Sequence, residues 1–117
     1  MITSFRDLKM WQMAALLAEE TYRATALLPE HEIYGLRSQM RRAAVSIASN
    51  IAEGSKRKTR KDFLQFLHIE SGSCAELETQ LYLTTRIYPS VGVAKASEQL
   101  NEIQKMLSAY IRKMYST

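Results

Sequence analysis

Apolar residues recur three and four positions apart over four long stretches of this chain, and its four glycines and two prolines punctuate them. That spacing places the apolar side chains on one face of an α-helix. The first stretch covers about residues 5–28, with Leu8, Trp11, Ala15, Ala18, Tyr22 and Thr25 on its stripe. Ser4 and Asp7, three apart, form a capping pair at its start. Pro29 stops it, because a proline disfavours helical geometry at the residue before it. The second covers about 34–53, with Leu36, Met40, Ala43, Ile47 and Ile51 buried and Ala44 beside them. Gly54 suits the left-handed position just past a helix end.

The third stretch covers about 59–87, with Thr59 and Asp62 capping its first turn. Phe63, Phe66, Leu67, Cys74, Leu77 and Leu81 make its stripe. Gly72 inside it costs about 1 kcal/mol relative to alanine, which suggests the close approach of a neighbouring helix. The fourth covers about 93–114, with Ala96, Leu100, Ile103, Leu107, Tyr110 and Met114 facing inward. No stretch alternates with the period of two that marks a half-buried strand. The pattern predicts an all-α fold, an antiparallel up-down four-helix bundle, each helix roughly 30 Å long at 1.5 Å per residue. Its 117 residues form one domain, 1–117.

Charge adds an asymmetry to this picture. Eight of the sixteen basic residues fall between Arg37 and Lys61: Arg37, Arg41, Arg42, Lys56, Arg57, Lys58, Arg60 and Lys61. Glu53 is the single acid among them, so the block is strongly positive while the rest of the chain is net acidic. Such a split points to an anionic partner. Two readings stand at this point. The cations displace counterions from the phosphates of a nucleic acid, or they form a solvated face that pairs with acids such as Glu19, Glu20, Glu30 or Glu32 of another subunit.

The chemistry of catalysis is sparse. His31 and His68 are the two histidines, and neither has a glutamate three residues before it as a di-iron bundle requires. Cys74, the sole cysteine, excludes an internal disulfide and fits a reducing compartment; one cysteine cannot build a structural zinc site. There is no glycine-rich phosphate loop. The expectation is a protein without enzymatic activity, cofactor or metal. No apolar run reaches the length of a membrane span and the start of the chain lacks the pattern of a secretory signal, so the expectation is cytoplasmic, with no membrane partner. Two polar groups stand out, Ser46, Asn50 and Glu53 on the second helix and Ser73 and Glu76 on the third. They read as one structural network across the helix pair, in preference to a polar ligand site.

Several segments share a family pattern. Phe5-Arg6-Asp7-Leu8, Trp11-Gln12, Tyr34-Gly35-Leu36 and Gln39-Met40-Arg41-Arg42-Ala43 come first. Ser46-Ile47 and Asn50-Ile51-Ala52-Glu53-Gly54 follow, then Phe63, Phe66-Leu67, Gly72-Ser73 and Glu76-Leu77. In this order the chain resembles the small bacterial four-helix-bundle family encoded in intervening sequences of 23S ribosomal RNA genes. One departure is Glu70, where that family more often has a small residue. The resemblance implies a homo-oligomer, a pentameric ring, in which some of Trp11, Tyr22 and Tyr110 lie between subunits. The family is similar in fold to the accessory variability protein of diversity-generating retroelements, a basic barrel that binds nucleic acid and a reverse transcriptase. By that analogy the partners are further copies of the chain, RNA before DNA, and a nucleic-acid enzyme. The alternative is a structural module whose basic face recruits an acidic protein.

Overall fold

The structure, a computed structural model, describes residues 4–116. Four helices carry the fold: α1 (Lys9–Thr25), α2 (Leu36–Gly54), α3 (Arg60–Ile87) and α4 (Ala94–Ser116). Short 3-10 turns at Phe5–Asp7 and Glu30–Glu32 precede α1 and α2. The neighbours are α1–α2, α2–α3, α3–α4 and α1–α4, which closes a four-helix bundle. Among the described residues there is no strand.

The core is a column of Ala14, Leu17, Met40, Ile47, Leu77, Leu100 and Ile103, each removed from solvent. Burial of such side chains contributes about 1.5–3 kcal/mol apiece for the larger ones. On α2 and α4 the buried residues follow the predicted stripes, except that Leu36 and Met114 are half-buried and Tyr110 is exposed. On α1 the stripe is turned by one position. Met10, Ala14, Leu17, Thr21, Ala24 and Leu28 face inward, whereas Trp11 and Ala18 flank the core and Tyr22 is exposed. The cause is composition: residues 13–18 are all apolar, so apolarity alone does not set the phase. Thr21 and Thr25 can be buried because each hydroxyl donates to the carbonyl four residues back, at 2.7 and 2.6 Å.

Helix ends differ from expectation in three places. The Ser4 hydroxyl accepts from the Arg6 amide and so caps the 3-10 turn rather than α1; the Asp7 side chain lies outside the described residues. Leu8 is extended, and α1 begins after it. Gly54 is the last residue of α2 and no glycine has positive φ. Its role is steric: a Cβ there would stand 3.0 Å from Phe66 Cβ on α3. Gly72, by contrast, is exposed, with no atom of the chain within 4 Å of the place of a Cβ, so it seats no neighbouring helix within the chain.

The end of α1 shows where part of the basic block goes. A helix leaves its last carbonyls without partners. Arg37 donates to the carbonyls of Thr25 (3.1 Å) and Leu28 (2.9 Å). Arg41 donates to Thr25 Oγ1 (2.9 Å) and the Tyr22 carbonyl (3.1 Å), with its guanidinium 4.4 Å from the centre of the Tyr22 ring. Two cations thus cap the negative end of the helix. At the same end of the bundle, Glu32 accepts from the Leu36 amide (3.0 Å) and from the Tyr88 hydroxyl (2.5 Å). The Tyr88 bond, with the amide bond adding to it, holds the Glu32 carboxyl below its ordinary range. His31 Nε2 lies 3.1 Å from the same hydroxyl. Hydrogen bonds involving a charged group contribute about 1.5–3 kcal/mol. Arg37→Met is therefore expected to lower stability by about 1–3 kcal/mol in urea unfolding, while Arg42→Met, at an exposed site, should change it by about 0.5 kcal/mol or less.

Candidate nucleic-acid interface

Residues 37–61 do not form one patch. Helix α2 carries Arg37, Arg41 and Arg42 near its start, and the other cations follow its end. At 1.5 Å per residue, roughly 18–25 Å of helix separates Arg42 and Arg37 from Gly54. Arg37 and Arg41 are bound to α1, and only Arg42 of that group is exposed.

The second group is a different surface. Residues 55–59 connect α2 to α3, and all five are exposed, as are Arg60 and Lys61. The local sequence fixes this connection. Ser55 Oγ donates back to the Ala52 carbonyl at 2.7 Å, and the Arg57 amide donates to the Gly54 carbonyl at 3.0 Å. Thr59 Oγ1 accepts from the Asp62 amide at 3.1 Å, the cap predicted for α3, with Asp62 in the first turn. Arg57 pairs with Glu53 at 3.3 Å and lies 4.6 Å from the centre of the Phe66 ring. Lys56 Nζ lies 5.9 Å from that of Phe5. Lys58, Arg60 and Lys61 have no hydrogen bond, ion pair or ring contact among the described residues.

Beneath this connection lies a cavity of about 690 Å³. The starts of α1 and α3 and the ends of α2 and α4 all border it. Its rim carries Lys9, Lys56, Lys58 and Arg60, and its walls include Phe5, Leu8, Ile51, Phe63, Phe66 and Met106. Asn50 and Glu70 are its inner polar residues. A second, shallower depression of about 450 Å³ lies beside Arg37, Arg41 and Arg42.

The predicted polar network is present in part. Ser46 Oγ and Ser73 Oγ meet across α2 and α3 at 3.3 Å, and Asn50 Nδ2 donates to Ser46 Oγ at 3.3 Å. Glu53 turns to Arg57 instead, and Glu76 is exposed. His31 and His68 are both exposed, and His68 Nε2 lies 3.1 Å from the Tyr115 hydroxyl. No group of three or more metal-ligating side chains occurs among the described residues.

The residue that periodicity alone passes over is Glu70. It is only 1% exposed, and neither carboxyl oxygen has a hydrogen-bond partner. Its signal in the sequence is a gap: Leu67 and Cys74 are seven apart on the buried stripe, and the intervening inward position is 70. Burial without a counter-charge pushes the carboxyl up to about 8, so at neutral pH it is predominantly the uncharged acid. The neighbouring Cys74 thiol is pushed up to about 12, first by burial and then by Glu70 and Glu78, and is a packed, unreactive group.

This burial predicts the sign of the pH dependence. The unfolded chain releases the Glu70 proton near 4.5 and the folded chain near 8. Between these values the folded state holds one more proton, so the contribution is fully present below 4.5 and is lost as pH rises toward 8. The loss is about 1.4 kcal/mol per pH unit within that window. Urea unfolding from pH 5 to 8 should show it. Glu70→Leu should be more stable near pH 8 and should flatten the profile by that amount; an unchanged slope would contradict a dry, unpaired carboxyl.

No helix is long and apolar enough to cross a membrane. No curated protein matches the chain. The model of the 23S rRNA-intervening sequence protein family matches residues 6–109, and the chain belongs to that family.

Proposed function

We propose that this chain is a non-enzymatic, self-associating cytoplasmic bundle that binds nucleic acid, RNA before DNA, through the cations at residues 56–61. The observation that carries this reading is the exposure of Lys58, Arg60 and Lys61 without internal partners, beside Lys56 on the same short connection. Their charge is available to phosphates, and each phosphate neutralised releases counterions. Arg57 is partly held by Glu53 and Phe66. Arg42 is a separate, distant contact. Arg37 and Arg41 belong to helix capping in this reading and make no phosphate contact.

Self-association is supported by the outer face of α3. Ile69, Gly72, Thr79, Leu83 and Ile87 follow helical spacing there, with Glu76 between Gly72 and Thr79, and all are exposed. Ile69, Leu83 and Ile87 are 48%, 40% and 56% exposed. The open space over Gly72 allows another helix to approach closely. Apolar faces of this kind mark interfaces. A ring of five is the assembly that the family resemblance implies, and it would repeat the cationic connection around one rim.

Filter binding of structured RNA against salt should give a log–log slope of about −3 to −4 for four phosphate contacts. Changing Lys58, Arg60 and Lys61 together to glutamine should reduce its magnitude by about 2–3. A flat salt response, or a slope untouched by the triple change, would sink the reading. Light scattering should give a mass several times that of one chain, and Leu83→Glu should lower it; a monomer at all concentrations would remove the self-association half.

A further inference from the structure

The cavity under the basic connection has features that phosphate binding on an open surface does not need. We propose that it binds a nucleotide, with the base between the apolar walls and against Glu70, and the phosphate on the rim at Lys56, Lys58 and Arg60. The proposal rests on the preceding reading only in using the same rim for phosphate.

Three observations select this ligand. The first is size: about 690 Å³ lies within the ordinary range of small-molecule sites. The second is the mix of surfaces that line it: the exposed cations Lys56, Lys58 and Arg60, aromatic and aliphatic side chains, and the polar Asn50 and buried Glu70. Phe63 and Phe66 are each half-buried; Arg57 covers one face of Phe66, and Phe63, which has no such cover among the described residues, offers the stacking surface for a flat ring. Aromatic side chains serve as stacking platforms for bases of any sequence.

The third and most selective observation is Glu70. Buried polar groups are nearly always hydrogen-bonded, yet both Glu70 oxygens lack a partner among the described residues while being shut off from solvent; Gln80 and Gln99 each have one such oxygen, but neither lines the cavity. An alkyl tail inside the cavity would leave them unpaired. A neutral carboxyl offers one donor and acceptor capacity. The edge of a nucleobase offers both in adjacent positions and satisfies the acid without ionising it. The glutamate side chain has three rotatable bonds, so its carboxyl can turn toward a ligand from a site where it has nothing to lose. Asn50, held by Ser46, adds a second polar contact at the same depth. The nucleotide is either free or an unpaired position of a strand, since both present the same base and phosphate.

Calorimetric titration with AMP tests the cavity, and titration with single-stranded oligoadenylate and with a perfect RNA duplex separates the sources. AMP should saturate one site per chain, with adenosine about tenfold weaker for want of the phosphate. Glu70→Leu should weaken AMP about tenfold or more, whereas Glu70→Gln, which keeps a donor and an acceptor, should stay within about threefold. Met106→Trp, which fills the cavity, should abolish AMP binding, and thermal melts confirm that each variant is folded. If Glu70-dependent binding appears with oligoadenylate alone, the proposal holds with the strand as the source. No saturable binding of AMP or oligoadenylate, or equal binding by Glu70→Leu and Met106→Trp, overturns it. Duplex binding without either leaves the salt-dependent surface standing and removes the cavity. AMP binding without any RNA binding does the reverse.

Discussion

The close contact of Gly54 with Phe66 is the constraint on which the rest of the molecule depends. α2 and α3 are joined by only five residues, so their backbones must come together where the connection begins. A side chain at position 54 would push on Phe66 Cβ, which cannot move without its backbone. The absence of one lets the pair close, and the contact continues along the helices to Ser46 and Ser73. Closure also decides what the connection presents. A tight turn of five residues with no apolar member has nowhere to bury itself, so its cations project into solvent. The aromatic side chains beneath it, Phe63 and Phe66, are then left on the wall of a cavity instead of in the main core.

Charge of one sign has two destinies in this chain, and the difference is what each cation finds within reach. α1 ends at Thr25; the carbonyls of Tyr22 and Thr25 accept from the Ala26 and Leu28 amides and take a further donor, as does that of Leu28, because α2 starts beside them and delivers Arg37 and Arg41. Guanidinium suits that task because its planar fork serves two acceptors at once. Lysines cannot do so as well, and at the other end the carbonyls of Ile51, Ala52, Glu53 and Gly54 already accept from Ser55, Lys56 and Arg57 of the connection itself. A count of charges along residues 37–61 sums these two situations and so overstates the surface available to an anion.

The helices and their order were legible from apolar spacing, and so were the buried stripes of α2 and α4, where apolar residues are few enough to define one face. On α1 they were not. Residues 13–18 are apolar all round, and the buried face was settled by Thr21 and Thr25, whose hydroxyls bond to their own helix. Gly54 was recognisable as a helix end, but its steric role needs the position of Phe66, which is a tertiary fact. The Ser46–Asn50–Ser73 contacts follow from spacing plus the pairing of α2 with α3. Glu53 and Glu76 lie outside that contact because they point to solvent, a matter of helix phase. The cavity was not legible at all, since it is made by residues from four helices that are distant in sequence.

The two ends of the bundle differ in how completely they use their polar groups. At one end Arg37, Arg41, Glu32 and Tyr88 are joined to backbone or to each other, and His31 closes the set. These groups are tied up as a structural role requires, although Gln80 Oε1 and Gln99 Oε1, buried in the same half of the bundle, have no partner among the described residues. At the other end, among the described residues, Lys58, Arg60 and Lys61 are unpaired in solvent, and Glu70 is unpaired out of it. The first condition costs nothing, because water solvates an exposed cation. The second costs stability, because an interior carboxyl has given up water without replacement. A leucine at position 70 would continue the stripe of Leu67, Leu77 and Leu81 at no such cost. Local rules broken without internal compensation are the usual mark of a functional position, and here the break lies at the inner end of the cavity that the cationic connection covers. The geometry that brings α2 and α3 together at Gly54 therefore places both unsatisfied elements, the outer cations and the inner acid, on one axis.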